Sequence, residues 1–249
     1  MKDMILWMVT GIMALASCVH SSVKNEEQVR KQQQVTAFEQ VDVVGSPSVY
    51  YTQSNATSLR IEGPKSKVER IEVTNDDGIL RIKYKGGDIN LFGSSSKGKV
   101  KVYITSPDLI GVTVHGSGDF ICKDSLDTDN LNVGLHGSGD IKFRTIVCDH
   151  IKAEVVGSGD VELGNVQTQT AHIQVTGSGD ASAQLKHCAQ TDISLTGSGD
   201  VKVGFTNGGQ ANCQVTGSGD IDLRGELRQL TKSKSGSGSI NTDHLKLAQ

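Results

Sequence analysis

The 249-residue chain has little proline, few aromatic residues and no excess of charge of either sign. It contains 3 Pro, 4% aromatic residues and a formal net charge of −3. This near-neutral balance excludes the basic surface that binds nucleic acid, so no nucleic-acid partner is expected. The scarcity of proline and the lack of a Gly-X-Y period exclude collagen. The chain does contain 29 Gly and 36% hydrophobic residues, which favours a repetitive β protein with tight turns over wholesale disorder.

Long hydrophobic runs are also missing. The uncharged run over residues 5–16 is short for a transmembrane helix but typical of the apolar core of a signal peptide. It ends in Leu15-Ala16-Ser17-Cys18, which resembles the bacterial lipobox. That resemblance implies a lipoprotein signal peptide over 1–17, lipidation of Cys18 and a polar tether over 18–37. The protein would then be bound to the bacterial cell envelope through its lipid, most simply at the outer membrane or cell surface. The alternative is a secretory peptide with an accidental cysteine.

The C-terminal half carries an internal repeat. The tripeptide Gly-Ser-Gly begins at residues 116, 137, 157, 177, 197, 217 and 236, and Asp follows the first six copies. A fixed period near 20 residues is the signature of a solenoid.

Hydrophobic residues alternate with polar ones on both sides of each Gly-Ser-Gly. In one repeat the apolar series is Val161 and Leu163, then Ala171, Ile173 and Val175. A period of two predicts strands with one buried and one exposed face. We therefore expect an all-β fold, a single-stranded right-handed parallel β-helix (β-solenoid) with one coil per repeat. A single domain over 38–249 would contain irregular first coils (38–115) and the GSGD repeats (116–249).

These features together resemble one known family. A lipobox, Phe38 opening a strand, the sequence VKVYITSP over 100–107, Leu109 and the train of Gly-Ser-Gly turns are similar to the putative auto-transporter adhesin head GIN-domain family. The resemblance implies a β-helical protein of the cell surface or periplasm with an adhesin label. It supplies no catalytic residues.

The aspartates that follow Gly-Ser-Gly occupy one outward position and should form a column beside a column of serines. One interpretation is a cation-binding edge, since stacked carboxylates attract hard cations such as calcium. The other is that each carboxylate accepts backbone N–H bonds in its own glycine-rich bend. The column consists of Asp119, Asp140, Asp160, Asp180, Asp200 and Asp220.

Two histidines break the repeat symmetry. His115 and His136 precede the first two Gly-Ser-Gly turns and should stack on adjacent coils near Asp119 and Asp140. Two imidazoles and two carboxylates could bind zinc or another transition metal. The alternative is a pair of ordinary surface histidines, and no resident cofactor is expected.

The four cysteines after Cys18 are expected to be free thiols. Cys148 and Cys188 share one coil position but lie two coils apart, about 9.6 Å, which exceeds the roughly 7 Å limit for a disulfide. Cys122 and Cys213 lie four coils apart and should point inward.

The functional prediction is a lipid-anchored structural or binding module, not an enzyme. Adhesion or glycan binding is suggested by a regular array of hydroxyl groups from the serine column and from Thr176, Thr196 and Thr216. The partners would be the membrane, through the lipid anchor, and a glycan or surface protein. The alternatives are a β-helical carbohydrate-active enzyme and a periplasmic protein that binds a metal or another ligand. A groove with convergent, non-repeating acidic and basic residues would favour the enzyme.

Overall fold

The computed structural model describes residues 27–86 and 98–248. They form a nearly all-β solenoid of about 7 turns, which confirms the predicted fold class. The signal peptide predicted over 1–17 and the lipidation site Cys18 lie outside the described residues. Within the described ranges, no helix has the length and apolar character needed to cross a membrane.

The elements follow one another in this order along the chain. The N-terminal part contains β1 (Gln28–Gln33), β2 (Gln40–Gly45), β3 (Ser48–Gln53), β4 (Ser58–Pro64), α1 (Lys65–Val68), β5 (Ile71–Asp76), β6 (Ile79–Tyr84) and β7 (Lys101–Ser106). The repeats contain β8 (Gly111–Gly116), β9 (Asp119–Asp127), β10 (Asn130–Gly137), β11 (Asp140–Val147), β12 (His150–Gly157), β13 (Asp160–Gln167), β14 (Thr170–Gly177), β15 (Ala181–Lys186), β16 (Gln190–Gly197), β17 (Asp200–Gly217), β18 (Asp220–Gly236) and β19 (Ser239–Leu247).

Each regular coil consists of two strands joined by two corners. Strands β10 and β11 form one coil and are joined by Gly-Ser-Gly, which we call the first corner; the second corner follows β11. Strands of successive coils pair in parallel, 20 residues apart, as in Asp140 opposite Asp160. The strands therefore form two stacks, one before and one after the first corner, and β17 and β18 each contribute to both.

The core lies between the two stacks and is filled by the predicted alternating residues. Val161, Leu163, Ala171, Ile173 and Val175 are all buried, as are their counterparts in neighbouring coils. The first coils, expected over 38–115, have the same alternating core, because Val41, Val43, Leu80 and Ile82 are buried there. Isoleucine and valine suit these positions because their branched side chains pack well on a pleated surface.

The coils of the N-terminal part are not stacked in the order of the sequence. Strand β2 lies between β6 and β8, and β3 lies between β7 and β9. The coil made by β2 and β3 is therefore inserted between a later coil and the first repeat. The prediction of irregular first coils did not anticipate this exchange, because alternation identifies strands but not their neighbours.

Antiparallel strands close the N-terminal end of the solenoid. Strand β4 pairs with β7, β1 pairs with β4, and β5 pairs with β6. Gln28–Gln33, within the stretch 18–37 that is predicted to be a polar tether, is an edge strand whose exposed residues are polar or charged. Such residues suit an edge that must not pair with another chain.

At the C-terminal end of the solenoid, charged residues replace apolar ones in the outermost strand. In β18, Lys232 and Lys234 take the coil positions held by buried Cys213 and Val215 in β17, and both lysines are exposed. Exposed charges at positions that are apolar in the preceding coil oppose edge-to-edge pairing with another sheet.

The four described cysteines are free and buried, as the coil register predicts. Burial raises the pKa of Cys122 to about 11 and that of Cys213 to about 12. These thiols therefore stay neutral and behave as small apolar side chains.

Candidate functional site

The first corner positions the predicted site and is built almost entirely from backbone. The carbonyl oxygen of Gly157 accepts hydrogen bonds from the next coil's Ser178 N–H at 2.9 Å and Gly179 N–H at 3.1 Å. Gly177 has φ +126°, which L side chains rarely adopt, and a Cβ on Gly179 would overlap the carbonyl oxygen of Gly159. The coils approach too closely for a side chain there, so the serine between the glycines points to solvent.

The predicted carboxylate column exists, and its hydrogen bonds run between coils. The Asp160 carboxylate accepts a bond from Asp180 N–H at 3.1 Å, and the Asp180 carboxylate accepts one from Asp200 N–H at 2.8 Å. These bonds join each aspartate to the following coil, whereas the structural interpretation had placed them within its own bend. The side chains therefore tie neighbouring coils together at the corner.

Lysines neutralise other members of the column. Lys142 Nζ lies 3.5 Å from a carboxylate oxygen of Asp140, and Lys202 Nζ lies 3.8 Å from one of Asp200. Lys99 Nζ lies 3.0 Å from a carboxylate oxygen of Asp119. Because these pairs are partly exposed, each contributes little to stability, but together they reduce the repulsion between stacked carboxylates.

Serines terminate the column at both ends, which the sequence analysis missed. Ser48 Oγ donates to the Asp119 carboxylate at 2.8 Å, and Ser239 Oγ donates to that of Asp220 at 2.7 Å. Ser48 follows Gly45-Ser46-Pro47, an additional corner whose Gly45 carbonyl accepts a bond from the Ser117 N–H. This corner lies 71 residues before its neighbour at residue 116, so the 20-residue spacing could not reveal it.

The two symmetry-breaking histidines stack as expected. The ring centroids of His115 and His136 are 5.0 Å apart with an interplanar angle of 10°. The carboxylate next to His115 is that of Asp42, 3.7 Å from Nε2, and it also accepts a bond from Arg81 Nε at 2.7 Å. Asp42 was absent from the prediction because it belongs to the inserted coil.

The structure thus brings the two imidazoles together but assigns the predicted acidic neighbours to other partners. Asp119 faces Ser48 and Lys99, and Asp140 faces Lys142. In residues 27–86 and 98–248, no group of three or more His, Cys, Asp or Glu side chains is placed to hold a metal ion.

The hydroxyl array lies beside the carboxylates. Thr176, Thr196 and Thr216 are in register on three successive coils of the first stack. Thr196 and Thr216 are exposed, as are all six serines of the corners that continue to Asp. The result is a regular polar surface, repeated about every 4.8 Å, which we call the corner face.

Comparison with known proteins places these features in a family context. The sequence matches the family described as "Putative auto-transporter adhesin, head GIN domain" over residues 37–208 and 186–249. No curated protein matches the sequence.

Several solved structures have the same fold. A putative adhesin from Bacteroides fragilis is 28% identical, with a TM-score of 0.75, and the match covers 86% of this chain and 96% of that one. A putative lipid binding protein from Parabacteroides distasonis is 21% identical, with a TM-score of 0.73 and coverage of 87% and 97%. A putative adhesin from Parabacteroides merdae is 18% identical, with a TM-score of 0.66 and coverage of 87% and 96%.

Proposed function

Because the chain belongs to the putative auto-transporter adhesin, head GIN domain family, we propose that it is an adhesin-type binding module of the cell surface. Its solenoid would present the corner face to a glycan or to a surface protein. We further propose that a lipid on Cys18 anchors it to the envelope.

The observation that carries this proposal is the regular hydroxyl array of the corner face. Two main-chain hydrogen bonds to one glycine carbonyl hold each of the corners at residues 138–139, 158–159, 178–179 and 218–219, so the backbone of the array is ordered before any partner arrives. A preformed surface loses little conformational entropy on binding. Exposed serine and threonine hydroxyls can both donate and accept, which suits the hydroxyl groups of a glycan.

The competing functions find less support. A catalytic centre needs an acid, a base and a substrate cleft where symmetry breaks, whereas the columns of the corner face repeat in successive coils. The Parabacteroides distasonis structure is that of a putative lipid binding protein, but at 21% identity it supports only the shared fold. The stacked histidines keep a metal-binding function as the second alternative, with two imidazoles as its basis.

The binding proposal is tested on a glycan array with the detergent-solubilised full chain and two double variants. Thr196→Lys with Thr216→Lys should abolish the signal, because two long cations cover the array. Gln190→Lys with Gln210→Lys is the control: these exposed residues lie on the same two coils, about 20 Å away at the second corner. Equal loss in both variants, or none in either, would contradict recognition by the corner face.

The anchoring proposal is tested separately by membrane fractionation. Several acyl chains hold a protein stably, so the processed chain should remain in the membrane pellet and Cys18→Ser should move it to the soluble fraction. A Cys18→Ser variant that still pellets would place the anchor elsewhere.

A further inference from the structure

The symmetry of the coils breaks at a groove on the outer surface of the second stack. The groove has a volume of about 450 Å³ and lies where β17, β18 and β19 meet. Its polar lining consists of Lys202, Asp222, Arg224, Asn241, Asp243 and His244. None of these residues belongs to the corner face.

An irregular strand pairing makes the groove. Asn241 is paired with Asp222 and His244 with Arg224, so two residues of β19 face the single residue Leu223 of β18. Such a bulge bends the strand and redirects its side chains, here those of Asp243 and His244. On the other side Arg224 is paired with Gly204, and the side chain of Gln184 occupies the space beside that glycine.

Both hydrogen-bond donors and hydrogen-bond acceptors line the groove. Arg224, Lys202 and His244 supply nitrogen groups, and Asp222 and Asp243 supply carboxylates. Asn241 Nδ2 donates to Asp222 Oδ1 at 2.8 Å, which holds one carboxylate in position. Arg224, Asp243 and His244 are exposed and available to a ligand.

We propose that this groove binds one neutral pyranose unit of a glycan. A sugar hydroxyl both donates and accepts, so neighbouring hydroxyls suit a lining that mixes cations with carboxylates. Two carboxylates oppose a simple anion, and two cations oppose a simple cation. The volume falls within the usual range for small-molecule sites. The inference rests on the proposed function and adds a second contact for its glycan partner.

The repeat supplies a matched control for the test. Arg144 occupies the same position after its Gly-Ser-Gly as Arg224 does, is also exposed, and lies outside the groove. Saturation-transfer NMR with the full chain in detergent would use galactose, glucose, mannose and N-acetylglucosamine as probes. At least one should bind, Arg224→Ala and Asp243→Asn should each weaken it about 10-fold or more, and Arg144→Ala should leave it unchanged.

Other outcomes would overturn the inference. Sodium glucuronate or inorganic phosphate binding in place of the neutral sugars would make the groove an anion site. Equal weakening by Arg224→Ala and Arg144→Ala would show a nonspecific charge effect. Cleavage of an oligosaccharide, lost in Asp243→Asn, would show an enzyme and overturn binding alone.

The two proposals fail in different ways. Suppose that glycan binding on the array responds to the Thr196 and Thr216 substitutions but not to Arg224→Ala. This result would contradict the proposed sugar site in the groove and support recognition by the corner face. Suppose instead that free pyranoses bind in a way that depends on Arg224, while the threonine variants do not change binding on the array. This result would support the sugar site in the groove and contradict recognition by the corner face.

Discussion

The two corners of each coil satisfy the hydrogen-bonding needs of their backbone carbonyl groups in different ways. The first corner stacks glycine on glycine, and main-chain N–H groups satisfy its carbonyls. The second corner places a small side chain inside: Thr168 Oγ1 lies 2.9 Å from the Asp149 carbonyl oxygen and 3.0 Å from that of Thr170. The buried Cys188 thiol makes the equivalent contact with the carbonyl of Gln190 at 3.1 Å.

This difference explains why only one corner is visible in the sequence. A backbone corner without room for Cβ accepts only glycine, so the same glycine motif recurs in every repeat. A corner closed by a side-chain donor accepts any small residue that can reach the carbonyls. Successive coils use Thr128, Cys148, Thr168 and Cys188, of which Thr168 and Cys188 contact carbonyl oxygens, and the series has no recognisable motif.

The largest effect is expected from adding a methyl group to the first corner. Gly179→Ala would place Cβ against the Gly159 carbonyl oxygen, and the stacked coils cannot separate locally. Overpacking of this kind should lower the free energy of unfolding by about 3 kcal/mol. Urea denaturation followed by circular dichroism measures the change.

Gly134→Ala is the matched control for that substitution. Gly134 has no positive φ, and its nearest neighbour would be Thr113 Cγ2 at 3.4 Å, an ordinary contact. Its stability should change by less than about 1 kcal/mol. Similar losses in the two variants would show that glycine is required for reasons other than the close approach of the coils.

A smaller effect is expected at the second corner. Thr168→Val keeps the shape of the side chain but leaves the Asp149 and Thr170 carbonyls without the buried hydroxyl, which should cost about 2 kcal/mol. Thr168→Cys should recover much of this loss, since cysteines occupy the position in the adjacent coils. Thermal unfolding of the three proteins measures the order.

Thr128→Val sharpens the same comparison. Thr128 takes the equivalent place two coils earlier, but its buried Oγ1 has no hydrogen-bond partner in the described structure. Removing an unsatisfied hydroxyl should be neutral or stabilising. If Thr128→Val and Thr168→Val cost the same, then hydrogen bonding does not hold the second corner.

The repeats were predictable because two independent signals agree there. The alternation identified inward residues such as Val161 and Leu163, and the glycines set the register of the carboxylate and hydroxyl columns. Both signals depend on the backbone and on local burial. Neither depends on which distant segment becomes a neighbour.

The remaining features depend on contacts between distant segments. The inserted coil of β2 and β3 places Ser48 beside Asp119 and Asp42 beside His115, pairs separated by more than 70 residues. The groove beside Arg224 lies at one of several bulges of the second stack, and the 20-residue period does not show which bulge opens into a groove. Periodicity describes what coils share and therefore cannot predict where one of them departs from the others.

A loss of stability smaller than that of Thr168→Val is expected from the carboxylates that reinforce the first corner. Asp180→Ala removes the acceptor for Asp200 N–H and should lower the free energy of unfolding by about 1 kcal/mol, while Asp180→Asn retains an acceptor oxygen and should lose less. Because the carboxylates already bind N–H groups and lysines, millimolar calcium should leave Tm nearly unchanged. A cation-binding column would instead raise Tm with calcium by mass action, and Asp180→Asn with Asp200→Asn would abolish that rise. Calorimetry with calcium and with a chelator separates these outcomes, and a calcium shift of several degrees that vanishes in the double variant would refute the structural role.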